Sequence, residues 1–258
     1  VMEDADRLTE SAANSLLKAI EEPGLRTVWL LCAPTLHDIL PTIRSRCRHI
    51  QLHTPSNIEV AKYLVEKHQI SPKMADFAAR VSQGHIGRAR HLATNEDVRN
   101  RRNAILSIPS QLNSISAAYS AAAKLVDLAN AESDAISEAL DEKEYEELST
   151  ALGKGNNKAL KELEKEQKSR ATRITRDTLD GALLDLATFY RDVIMVQAGH
   201  DDSLINAELS EQINKMAANT QSQRTLAKMD AIMKSRESLQ RNGAPLLVME
   251  ALMCELIK

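Results

Sequence analysis

From about residue 95 onward, every strongly periodic apolar segment of this chain repeats at three and four residues, which confines that part to helices. Ile115, Ala118, Tyr119, Ala122, Leu125, Val126 and Ala129 make one stripe; Leu179, Ala182, Leu183, Leu186, Ala187, Tyr190, Val193 and Ile194 make another. Leu226, Met229, Met233 and Leu239, then Leu246, Met249, Met253 and Leu256, add two more. Helices apolar on one side bury that side against one another, so a bundle is expected. Residues 141–170 break the pattern with mixed Glu and Lys around Gly153-Lys154-Gly155 and no wide apolar face. They read as exposed helices flanking a turn, an insertion into the bundle.

The first third of the chain is organised differently. Thr9 to Glu22 reads as a helix, capped by Thr9, apolar along Ala12, Ala13, Leu16, Leu17 and Ile20, and ended by Pro23-Gly24. The run Thr27–Cys32 has the β-branched and aromatic content of a buried strand, and a second strand is expected at His49–Leu52. Between them Leu36–Ile43 reads as a short helix. A Ser56-to-Glu59 capping box, Ser71-Pro72, and Gly84 with Gly87 then open three helices in succession. The expected fold class is therefore mostly α: a partial α/β sheet unit, a three-helix unit and an all-α bundle.

Composition agrees and excludes several functions. Eight Gly, seven Pro and 3% aromatics among 43% hydrophobic residues favour helix over sheet. A net charge of −3 gives no global case for nucleic-acid binding, although between Arg80 and Arg102 lie Arg88, Arg90, Arg99 and Arg101, opposed by Glu96 and Asp97, as a candidate basic patch. Cys32, Cys47 and Cys254 are odd in number and far apart, which fits neither a disulfide framework nor a paired zinc module. The seven histidines lack ligand spacing, so no metal is assigned. No apolar run is long enough to span a membrane, and a cytoplasmic location is expected.

The segment EDADRLTESAANSLLKAIEEP, followed by VWLLCAPTLHDILPTIRSRC, resembles the clamp-loader branch of the AAA+ family in order and spacing, and SQGHIGRARHLA resembles that family's lid. The resemblance implies three domains: residues 1–55, the later part of an AAA+ α/β domain; 56–95, a three-helix lid; and 96–258, a helical collar that oligomerises. It also implies that the chain is amino-terminally truncated, starting at the Walker B segment.

The resemblance places functional residues one by one. Glu3 and Asp4 fall at the Walker B carboxylates, in reversed order from the usual Asp-Glu; such a pair holds Mg²⁺ and orients the attacking water. Thr35 lies beside the first sensor position, which falls on Pro34, and Arg88 lies one residue past the second, which falls on Gly87. A one-residue offset on a helix turns a side chain by about 100°. Ser45-Arg46-Cys47 matches the triplet whose arginine reaches the γ-phosphate of ATP held by a neighbouring subunit, so Arg46 is the expected catalytic arginine in trans, flanked by Ser45 and a packed Cys47.

No GxxxxGK[ST] loop occurs in the chain, so tight ATP binding is not expected of it; ATP and Mg²⁺ would belong to neighbouring subunits. The implied role is that of a non-hydrolysing subunit of the DNA polymerase holoenzyme's clamp loader. Its implied partners are delta and gamma or tau subunits in a hetero-oligomeric ring, with the sliding clamp and primer-template DNA reached through the complex. Two alternatives stay open: an ATP-hydrolysing gamma or tau subunit, and a helical adaptor without ATPase machinery.

Overall fold

The structure, a computed structural model, describes residues 1–3, 5–152 and 157–257. It divides into two compact units, Val1–Thr54 and Pro55–Lys258.

In the first unit, helix α1 spans Glu10–Glu21, and the Thr9 hydroxyl accepts the Ala12 N–H at 3.2 Å, closing its first turn. Ala13 and Ile20 bury one face of α1 against Ile43, with Leu16, Leu17, Trp29 and Leu31 packed around them. The expected helix at Leu36–Ile43 is two pieces, a 3-10 turn at Leu36–Asp38 and α2 at Pro41–Arg44. Pro41 explains the break: its ring bars the preceding residue from helical dihedrals, and Leu40 is extended at φ −54°, ψ 135°.

The two expected strands do not form. Among the described residues, β pairing is a single parallel bridge between Met2 and Leu31. It is made by the Met2 N–H donating to the Leu30 carbonyl at 2.8 Å and the Cys32 N–H donating to the Met2 carbonyl at 2.9 Å. An extended run becomes a strand only where a neighbour takes up its backbone groups over several residues. That condition is not met here, and Val28, Leu30, Ile50 and Leu52 stand 81%, 54%, 72% and 87% exposed.

In the second unit, α3 (Asn57–His68), α4 (Pro72–Ser82) and α5 (Ile86–Thr94) pack around Val60, Leu64, Val81 and Leu92. Ala75, Ala78, Ala79 and Ala89 line the contacts between these helices, where small side chains allow close approach. The capping box is present: the Ser56 hydroxyl accepts the Glu59 N–H, and the Glu59 carboxylate accepts the Ser56 N–H at 2.8 Å. These bonds hold the Glu59 carboxyl below the usual carboxylate range. Asn95 both ends α5 and caps α6 (Glu96–Gln111).

The bundle consists of α6, α7 (Ile115–Leu152), α8 (Asn157–Gln197), α9 (Ser210–Asn219), α10 (Ser222–Gln240) and α11 (Pro245–Ile257). Its core is drawn from the expected stripes: Leu125, Leu183, Leu186, Tyr190, Leu239 and Met253 are buried. Where α7 begins, however, Ile115 and Tyr119 are 66% and 49% exposed, so the buried stripe starts at Ala118.

The core ends at Ala129 on α7 and begins at Leu179 on α8. Beyond it the two helices continue as one antiparallel arm, reaching roughly 35 Å farther at 1.5 Å per residue. A polar seam joins them there: the Ser133 hydroxyl donates to the Ala171 carbonyl at 3.0 Å, and Arg170 grips Glu144 through both terminal nitrogens. Residues 141–170 are thus mainly the distal parts of α7 and α8; Gly153-Lys154-Gly155 lies outside the described residues. No helix among the described residues is long and apolar enough to cross a membrane.

Candidate functional site

Arg46 follows α2 by two residues, and α2 is short because Pro41 starts it and the Ser45 N–H closes it onto the Pro41 carbonyl at 3.0 Å. Its guanidinium lies back along that turn. Nη1 donates to the Thr42 carbonyl at 2.8 Å and to the Ser45 hydroxyl at 3.3 Å, while Nε donates to the Glu21 carboxylate at the end of α1. Ser45 in turn donates to the Thr42 carbonyl at 3.1 Å. Nη2 has no partner among the described residues, and the Arg46 side chain is 38% exposed. With Nε and Nη1 engaged, the guanidinium keeps the N–H groups of Nη2 to donate to an oxyanion such as phosphate in charge-assisted hydrogen bonds.

Cys47, expected to be packed, is exposed, as is Cys32. The chain after α2 leaves the core of the first unit, so Cys47 has no apolar surface to fill. Glu3 is exposed beside the Met2 bridge, and Asp4 lies outside the described residues. Thr35 is engaged locally: its hydroxyl donates to Asp38 at 2.8 Å and accepts the His37 N–H at 3.2 Å.

Arg88, on α5, is turned to the bundle rather than to open solvent. Its Nη2 donates to Asp185 on α8, and the same carboxylate oxygen accepts from Nε of Arg102 on α6 at 3.1 Å. Arg102 is 3% exposed and is satisfied on all three nitrogens, with Nη1 on Glu208 at 3.1 Å and Nη2 on the Asn206 side-chain carbonyl. Arg80 also reaches Glu208, at 3.1 Å. Asn206 is fixed by Asp192, which accepts both its backbone and side-chain N–H at 2.7 and 2.8 Å. This network joins the three-helix unit to the bundle.

The candidate basic patch is spent in the same way. Arg99 donates to the Leu92 and Ala93 carbonyls at the end of α5, Arg101 pairs with Glu132 on α7, and Arg88 and Arg102 share Asp185. Of the five arginines from Arg88 to Arg102 only Arg90 lacks a side-chain partner among the described residues, and Arg88, Arg101 and Arg102 meet carboxylates within the molecule. The sequence analysis missed Glu21 and Asp185. Glu21 stands in the quoted LLKAIEEP segment, where it could have been noticed; Asp185 is just one acid on a helix until the fold brings it to two arginines.

A groove of about 700 Å³ runs between α4, α5 and α6 on one side and α7 and α8 on the other, with Ile136, Ile174, Gly181 and Leu184 among its lining. Its carboxylates, Glu132, Asp177, Asp180 and Asp185, are each paired with an arginine. Among the described residues no group of three or more His, Cys, Asp or Glu side chains is placed to hold a metal ion.

The chain thus pairs a helical bundle carrying a three-helix unit with a separate α1–α2 unit that offers an arginine, and comparison with known proteins shows what it is similar to. The family model described as "DNA polymerase III, delta subunit" matches residues 1–56, and that described as "DNA polymerase III, delta subunit, C terminal" matches residues 142–256. The chain is thus similar to DNA polymerase III delta subunits in two separate segments, and most of the relatives found are delta-prime subunits.

The DNA polymerase III subunit delta' of Bacillus subtilis is 24% identical over 242 residues, which are 94% of this chain and 60% of that protein. The Escherichia coli subunit delta' is 37% identical over 86 residues, 33% of this chain and 26% of that protein. Replication factor C subunit 3 of Arabidopsis thaliana is 28% identical over 85 residues, 32% of this chain and 24% of that protein. The chain therefore spans no more than 60% of the length of these relatives.

Proposed function

We propose that this chain acts as a delta-prime-like subunit of a DNA polymerase III clamp loader, assisting ATP-driven loading of the sliding clamp on primer-template DNA. In this reading Arg46 acts in trans. Its open Nη2 edge meets the γ-phosphate of ATP held, with Mg²⁺, by a neighbouring gamma or tau subunit, and stabilises the charge on the transferring phosphoryl oxygens. The observation that carries the reading is the presentation of Arg46, fixed on its inner edge and open on its outer one, at the end of a segment whose order of motifs is that of the clamp-loader family.

The collar helices α9, α10 and α11 supply surfaces for delta and gamma or tau. DNA and the clamp are reached through the assembled ring, since Arg88, Arg99, Arg101 and Arg102 are engaged internally. The AAA+ description of residues 1–55, the lid at 56–95 and the collar at 96–258 belong to this same proposal. The match to delta-prime subunits favours it over an ATP-hydrolysing gamma or tau subunit.

The test is the Arg46→Ala variant in the reconstituted hetero-oligomer. ATP turnover at the site that Arg46 faces is expected to fall by about a thousandfold or more, with assembly unchanged on gel filtration. Arg46→Lys keeps the charge but not the fork, and restores only part of the loss. Unchanged turnover in Arg46→Ala would leave the adaptor reading standing instead.

A further inference from the structure

The carboxylate on the inner edge of Arg46 comes from Glu21, the last residue of α1. Its place in the fold is well fixed: Ile20, beside it, is buried in the core of the first unit, and the Trp29 indole N–H donates to the Ala19 carbonyl at 2.9 Å. The pair itself is half in water, with side chains 38% and 45% exposed. Exposed ion pairs contribute little to stability, so holding the fold together does not account for this one.

We propose that Glu21 is a positioning residue for Arg46, gripping Nε so that Nη2 faces outward at a fixed angle for a phosphate oxygen. The inference rests on the reading of Arg46 as an arginine acting in trans, and concerns how it is aimed. An arginine has four side-chain torsions, and one left free would spend most of its time away from the phosphate. Thr42 and Ser45 hold Nη1 from within the same short turn, so they move with Arg46. Glu21 is the anchor that comes from another element, and it fixes the orientation of the guanidinium plane relative to the core of the unit. The carboxylate weakens the positive field of Arg46 somewhat, but a planar guanidinium donating from Nη2 to phosphate depends more on orientation than on charge alone. The opposite role, in which Glu21 competes with phosphate and restrains Arg46, predicts the opposite sign.

The reconstituted hetero-oligomer carrying Glu21→Ala, Glu21→Gln, Arg46→Ala or the Glu21→Ala/Arg46→Ala double variant separates these cases, with kcat and KM for ATP measured on each. Glu21→Ala is expected to lower kcat roughly three- to fivefold with KM unchanged, because aim is lost while binding elsewhere is not. Glu21→Gln, whose amide oxygen still accepts from Nε, is expected to recover most of the loss. The double variant should be no slower than Arg46→Ala alone, since Glu21 acts only through Arg46. A merely structural Glu21 would give neither the recovery nor the non-additivity. If Arg46→Ala slows turnover while Glu21→Ala leaves it unchanged or faster, the positioning role is overturned and the trans arginine stands. If Arg46→Ala has no effect, the reading of Arg46 falls, and the role of Glu21 with it.

Discussion

Asp185 shows how far a single residue's meaning depends on the fold. Its carboxylate receives Arg88 from α5 and Arg102 from α6, and Arg102 is almost fully buried. Truncating Asp185 leaves a desolvated guanidinium short of its partner, the costly half of a buried pair. Asp185→Ala is expected to lose about 3–5 kcal/mol of stability in urea unfolding, and Asp185→Asn, which keeps an acceptor, clearly less. Indistinguishable midpoints for wild type and Asp185→Ala would refute the hub role. From sequence the arginines of this region look like a solvated or DNA-facing patch, because spacing shows where charges lie along a helix but not which acid 97 residues away will meet them. Arg46 stands out in the sequence because its neighbours carry a pattern; Glu21, the carboxylate 25 residues earlier that its Nε meets, does not.

At the scale of elements, the legible features were those with local causes. The Thr9 cap, the Ser56–Glu59 box and the proline starting α4 each act within a turn, and each stands where the residues called for it. The absence of strands was not legible because pairing is decided elsewhere in the chain: Thr27–Cys32 has strand-like residues, but among the described residues its β pairing is a single bridge to Met2. The helices of the distal arm were legible, but their pairing was not, because the seam is polar, made by Ser133, Glu144 and Arg170 rather than by an apolar stripe.

The capping box carries a pH signature. The Glu59 carboxyl is lowered by bonds to the Ser56 backbone and hydroxyl, so its contribution to stability is present above the unfolded-state value and is lost as pH falls through the lowered folded-state value. Glu59→Gln keeps a capping acceptor without the titrating charge. Its urea midpoint should therefore drop less than that of wild type between neutral pH and the acid side of the carboxylate range; parallel curves would count against the cap as the source.

For the whole molecule, the division at Thr54 and Pro55 implies two unfolding events rather than one. The first unit rests on a small core around Ala13, Ile20 and Ile43, whereas the second has two larger clusters. The only tryptophan, Trp29, lies in the first unit, and most of the helix lies in the second. Tryptophan fluorescence is thus expected to change at lower denaturant than far-ultraviolet circular dichroism. Superimposable transitions would show instead that the units unfold together.

The uncovered side chains of Val28, Leu30, Ile50 and Leu52 give that first unit a thermal character of its own. Attraction between such surfaces draws on the release of ordered water and weakens in the cold. Molecules bearing it are expected to stay dispersed near freezing and to scatter more light as the solution warms, well before any helix melts.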